Sequence, residues 1–297
     1  MNLQTITSNT INEESRSRVG WAMVAIFAIA NLFIGYSADD SMIGMLAPFI
    51  CVLLMSVFSF GHGISRYGAK TMAVFFLFAF AISWSYETLS ILTGFPFGNY
   101  HYTDVLGPKL WLVPLLIMPA YFAVCYFSWH IAHVLLDHYK DGLSGARLFS
   151  VPMLATFVMV MWDVSMDPAR ATLGQTWVWE DGGAYFGVPF VNFMGWHLCV
   201  YTILQAFALY LNRTDKAVGL TGRSHHFLIL PVMMYGAIVV EFLSKAVFAE
   251  DAVVESLDGH SWHTTDIYSS LALVALYTMA FVTILATFKL LDRRSAI

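Results

Sequence analysis

Residues 86–114 read YETLSILTGFPFGNYHYTDVLGPKLWLVP. A glutamate, Glu87, comes near the end of a long apolar helix, and a loop of glycine, proline and aromatic residues follows it. That loop is too short and too apolar to be a domain of its own. Residues 163–197, DVSMDPARATLGQTWVWEDGGAYFGVPFVNFMGWH, follow the same plan: Asp163 closes an apolar helix, an aromatic loop follows, and Val188-Pro189 opens the next helix as Val113-Pro114 does before it. Glu87 and Asp163 are 76 positions apart and the two prolines 75, a spacing open to either an internal duplication or convergent loop chemistry. The rest of the chain reads as scaffold that brings these two stretches face to face.

Working outward, charged side chains make up 12% of the 297 residues and hydrophobic ones 58%, with a mean hydropathy of +0.66. A soluble domain carries roughly twice that charged fraction. The chain therefore reads as an all-α, polytopic membrane helical bundle, with a single transmembrane domain over residues 19–297. A net charge of −5 without a basic run excludes a nucleic-acid partner. Cys51, Cys125 and Cys199 lie far apart inside apolar runs and read as buried free thiols, not as a disulfide framework or a metal site. Residues 1–18 are polar, and Arg16 and Arg18 directly precede the first apolar run. A cleaved signal peptide places its basic residues at the start, so a disordered cytoplasmic tail before an uncleaved helix is expected.

A spanning helix needs about 20 mostly apolar residues. Eight stretches qualify, about 20–38, 42–62, 71–92, 111–136, 148–166, 188–210, 225–248 and 266–290. With eight spans, one side receives both termini and 12 of the 15 basic residues: Arg16, Arg18, Arg66, Lys70, Lys140, Arg147, Arg213, Lys216, Arg223, Lys289, Arg293 and Arg294. The other side keeps Lys109 and Arg170, with Lys245 inside a span. The excess of Lys and Arg marks the cytoplasmic side, so both termini are expected in the cytoplasm and both aromatic loops outside, folding over a pocket.

Glu87, Asp163 and Glu241 then lie at similar depth, where ionisable groups are costly and face a bundle interior or a cavity. Glu241 and Lys245, four residues apart on one helix, read as a structural ion pair. Glu87 and Asp163 have no basic residue at helical spacing, so each reads either as a proton donor or as a hydrogen-bonded structural group. The aromatic residues of the loops exceed what an interfacial belt needs. Beside so many glycines, they suit a pocket for a long apolar ligand and for a transient cation. Among the histidines, His62, His130, His133, His138, His225 and His226 fall near cytoplasmic ends. They raise a histidine-bound iron oxygenase as an alternative, although no two-histidine box recurs. Lys245 with Glu241 raises a retinal Schiff base. His101, His197, His260 and His263 lie on the outer side with the acids.

The two quoted stretches together resemble the signatures of the integral-membrane carotenoid biosynthesis proteins, a family that includes carotenoid hydratases, those of bacterioruberin formation among them. The resemblance covers about 87–114 and 163–197; the remaining spans are similar only in being apolar. It implies addition of water across the terminal isopropylidene double bond of an acyclic carotenoid such as lycopene, giving a tertiary alcohol, with no cofactor and no metal. On that reading Asp163 or Glu87 donates the proton. The other carboxylate, with Asn192 or His197, positions the water, and Asp104 and Asp167 are reserve acids. Asp167-Pro168 has a second reading, as a cap on the loop turn. The expected substrate-binding residues are Phe97, Tyr100, Tyr102, Trp111, Trp179, Tyr185, Phe193 and Trp196. A carotenoid- or retinal-binding protein without catalysis is the remaining alternative.

Overall fold

The structure, a computed structural model, describes residues 3–36, 41–138, 143–214, 220, 223–256 and 259–295. Among them, eight helices form a membrane bundle. The first three are α1 (Leu3–Tyr36), α2 (Met42–Tyr67) and α3 (Ala69–Thr93). α4 (Ile117–Leu135) and α5 (Arg147–Pro168) follow, the latter continuing through a π turn (Ala169–Leu173). Then come α6 (Phe190–Thr214), α7 (His225–Phe248) and α8, a rod from Thr264–Ala275 through a second π turn (Leu276–Ala280) into Phe281–Ser295. Seven are long and apolar enough to cross a membrane. α1 begins at Leu3, inside the stretch read as a tail, and its apolar part is Ser17–Tyr36. Lys140 and Lys216 lie outside the described residues.

The eighth helix, α4, is the centre of the bundle. It packs against α2, α3, α5, α6, α7 and the C-terminal part of α8, and its residues from Ala120 to Val134 are all buried. A helix enclosed on every side carries no polar stripe. Several of its polar atoms, those of Tyr121, Tyr126, Trp129 and His130, are turned to partners inside the protein. The helix starts later than its apolar run, because residues 109–114 form a small hairpin, β2 (Lys109–Leu110) with β3 (Val113–Pro114), and Trp111 in its turn has φ 58°.

Two short strands join the loops. β1 (Tyr100–Tyr102), after α3, pairs antiparallel with β4 (Trp177–Trp179), after α5, in the register Tyr100↔Trp179, His101↔Val178, Tyr102↔Trp177. Side chains alternate along a strand, so Tyr100 and Tyr102 point into the bundle while His101 points out to Glu180. The two stretches that share a sequence plan thus share the order helix, strand, helix, and meet edge to edge. α3 ends at Gly94, whose left-handed φ of 77° turns the chain; the next loop residues are stitched back to Ser90, whose hydroxyl accepts from Phe97 N and donates to Gly98 O, both at 3.0 Å. α5 runs further than its apolar stretch, so Asp167-Pro168 is inside the helix and does not cap a loop turn. Proline supplies no N–H, and the ladder shifts just beyond it, where Gly174 N bonds Ala169 O. A second hairpin, β5 (Val253–Glu255) with β6 (Ser261–His263), links α7 to α8.

Candidate active site

Beneath the β1–β4 ribbon, α3 supplies Glu87, α4 Tyr121, α5 Asp163 and Asp167, and α6 Asn192 and Trp196. Glu87 is only 3% exposed, and a buried carboxyl group must be hydrogen-bonded. Tyr102 Oη donates to Oε2 at 2.9 Å, Tyr121 Oη to Oε1 at 2.9 Å, and Tyr100 Oη also to Oε2. Burial first, and then the nearby Glu87 charge, push the Tyr100 and Tyr102 phenols well above the ordinary tyrosine value. Both therefore keep their protons.

Asp163 and Asp167 are one helical turn apart, and so share a face of α5. One amide serves both: Asn192 Nδ2 donates to Asp167 Oδ2 at 2.5 Å and reaches Asp163 Oδ2 at 3.5 Å. Asp167 Oδ1 accepts from Trp177 Nε1 at 2.8 Å. Asp163 Oδ1 is buried with no hydrogen-bond partner among the described residues.

These groups surround a cavity of about 110 Å³. Glu87, Asp167 and Asn192 are in its wall, whereas Asp163, one helical turn earlier on α5, is not. The remaining wall is largely apolar, and nine of its residues are aromatic. Trp196 stacks on Tyr121 with ring centres 4.4 Å apart, Tyr100 packs on Trp179 at 4.9 Å, and Phe97 stands 6.4 Å from Trp196. A rigid aromatic wall suits an apolar planar ligand, and its ring faces attract a cation.

Of the expected residues, Glu87, Asp167, Asn192, Phe97, Tyr100, Tyr102, Trp179 and Trp196 meet at this cavity. Others do not. The Asp104 side chain is 99% exposed and bonded by Lys109 at 2.9 Å. Trp111 is exposed at its hairpin turn. His197 packs against Phe157, outside the wall. Tyr185 and Phe193 pack on each other behind it, and Tyr185 Oη donates to Val164 O at 3.2 Å. Burial pushes the Tyr185 phenol up to about 12, with Asp163 and then Asp167 adding to it. Four aromatic wall residues were absent from the expected set: Phe27, Tyr121, Trp162 and Trp177. Trp177 carries a legible signal, its place in the aromatic run WVW. Tyr121 has none in an apolar helix.

A second polar pair lines the cavity. Arg170, on the π turn, bonds Glu241 of α7 at 2.7 Å. The pairing expected for Glu241 was Lys245. Continuation of α5 through the π turn presents Arg170 to α7, and Lys245 stands over the Tyr268 ring at 5.5 Å. The histidines of the opposite end are built into helix packing. His62 shares a hydrogen bond with Tyr126 Oη at 2.5 Å and reaches Phe227 O at 2.8 Å, while His130 reaches Leu228 O at 2.8 Å. Among the described residues no three His, Cys, Asp or Glu side chains converge as metal ligands. Cys51, Cys125 and Cys199 are free thiols.

A family model described as carotenoid biosynthesis protein matches residues 42–255. The chain is also 30% identical over 116 residues to the bisanhydrobacterioruberin hydratase of Haloarcula japonica, a match covering 39% of this chain and 38% of that protein. It thus spans well under half the length of that curated relative. No solved structure matches.

Proposed function

The chain belongs to the carotenoid biosynthesis protein family, and from that premise we propose that it is a carotenoid hydratase, adding water across the terminal isopropylidene double bond of an acyclic carotenoid. One observation carries this reading: two carboxyl groups with different hydrogen-bond partners share an aromatic cavity inside a membrane bundle. Phenols can donate or accept, so the three tyrosines around Glu87 accommodate it with or without a proton. Indole and amide N–H groups only donate, so Trp177 and Asn192 hold Asp167 as a carboxylate acceptor.

The roles follow. Glu87 gives its proton to the less substituted carbon of the double bond, forming a C–H bond and leaving a tertiary cation. Trp179, Trp196 and Tyr100 present ring faces that stabilise that charge. Asp167, steadied by Asn192, takes a proton from the attacking water as its oxygen bonds the cationic carbon. The product is a tertiary alcohol, and the proton returns to Glu87 before the next turnover. The reaction consumes one water and no oxidant. Both termini are assigned to the cytoplasm and the ribbon to the outer face, on the charge asymmetry.

The test is pigment analysis of a bacterium that makes an acyclic carotenoid and expresses this chain. The expected product is heavier by one water, with its oxygen drawn from labelled water. Oxygen drawn from labelled oxygen gas would overturn the hydratase reading, and so would pigment bound and recovered unchanged from every acyclic carotenoid offered.

A further inference from the structure

A second cavity, of about 330 Å³, lies at the opposite end of the bundle. Its wall comes from the same three helices that bound one side of the first: α1, α2 and α7. On α2, Pro48, Cys51, Val52 and Met55 line the first cavity, and Phe58, Gly61, His62 and Ser65 the second. These positions follow steps of three and four, so they form one unbroken stripe on a single helix face. α1 repeats the pattern, with Phe27 and Asn31 in the first cavity and Ser17, Gly20 and Met23 in the second. On α7, Ile238 and Glu241 line the first, and Phe227 and Leu230 the second. α1 packs on both neighbours. α2 and α7 touch at the far end, where the His62 ring stacks on Phe227 at 4.0 Å. The two cavities therefore lie toward opposite ends of one α1–α2–α7 seam. Met55 in the wall of the first and Met23 in the wall of the second are flexible side chains that repack readily.

From Pro48 to Ser65 the α2 stripe is roughly 26 Å long at 1.5 Å per residue, close to the ~30 Å of a hydrocarbon layer. The first cavity alone holds only the end of a long rod. We propose that the polyene lies along the whole α1–α2–α7 crevice, its reacting end between Glu87 and Asp167 and its far end in the second cavity, beside Ser65 and Arg223. This rests on the hydratase reading for the identity of the reacting end, and adds a binding subsite for the other. The hydroxyl groups of Ser17 and Ser65 and the Arg223 guanidinium, which donates to Ser65 O at 2.9 Å, make that subsite suited to a far end already bearing a hydroxyl.

Gly61 provides the test. A Cβ placed there meets no atom within 4 Å, so Gly61→Leu adds bulk to the crevice from an open backbone position. Val57→Phe, at an exposed wall position, serves as a second block. Full-length protein in liposomes is given two substrates with the same terminal isopropylidene group, one a full-length acyclic carotenoid, the other an acyclic isoprenoid of half its length. The ratio of kcat/KM, long over short, is expected to fall about tenfold in the blocked variants, the loss of roughly two buried methylene groups. Binding, read by quenching of tryptophan fluorescence, is expected to shift by the same ratio. A ratio unchanged in both variants and both readouts overturns the crevice. A binding ratio that falls while wild-type protein hydrates neither substrate leaves the crevice standing and removes the hydratase reading instead.

Discussion

Glu87 obtains its hydrogen bonds from three tyrosines, and that choice decides what the residue can do. A neighbouring cation would hold it as a carboxylate; phenols allow it to gain and lose a proton in place. Glu87→Gln keeps the shape and removes the acid. It is expected to cut turnover by about 10²–10⁴, the range for general acid catalysis, with folded protein still in the membrane. Asp167→Asn is expected to fall in the same range. Asp163→Asn is expected to lose less, because Asp163 is outside the cavity wall. Turnover rates of the three purified variants check the order, and normal turnover by Glu87→Gln removes Glu87 from the mechanism. Glu87, Asp163, Asp167 and Asn192 are legible in the sequence because polar groups are rare and costly in apolar spans. Their ranking is not. Which of two acids a helical turn apart on one face reaches the cavity depends on the depth at which α5 is set against it, which only tertiary packing fixes. The third phenol, Tyr121, reads as one more core aromatic until α4 is seen to pass beside α3.

At the scale of elements, the β1–β4 ribbon holds the two loops together, and its geometry depends on how α3 ends. Gly94 has φ 77°, and a Cβ there would press on Asn99 Oδ1. Asn99 in turn donates to Asp181 Oδ2 at 2.6 Å, and its carbonyl accepts from Glu180 N at 2.9 Å. Gly94→Ala therefore carries a left-handed penalty of about 1–2 kcal/mol and moves a residue bonded to the β4 side of the ribbon. The expected result is a lower Tm in detergent together with reduced turnover; an unchanged Tm would show that the turn tolerates a side chain. Helix positions are legible because eight apolar runs of spanning length leave little choice. The ribbon is not, because strands of three residues are too short to show a period of two. The extension of α5 past Pro168 is hidden for a similar reason: proline reads as a helix end, and only the shift to π bonding lets the helix continue through it.

For the whole molecule, the basic side chains among the described residues divide between the two ends of the bundle. Arg223 bonds Ser65 O, and Lys289 bonds Leu135 O and Asp137, all at the end away from the ribbon. Lys109 and Arg170 lie with the ribbon and its cavity. Such an asymmetry orients a membrane protein through its Lys and Arg count, with little regard to acidic residues. The two ends also have different work in the proposed reaction: the ribbon end supplies acid, base and water to one end of the polyene, and the other end supplies only a resting place for its far part. The cysteines make this orientation measurable. Cys125 and Cys199 are fully buried, and Cys51 faces the first cavity from α2, so the native thiols are shielded from a large, membrane-impermeant maleimide. Ala184 and Ser144 are exposed and lie beyond opposite ends of α5. In intact cells Ala184→Cys is expected to label and Ser144→Cys to label only after the membrane is opened. The reverse pattern would invert the molecule, placing the acid pair at the cytoplasmic face, where its water and protons would come from the cell interior.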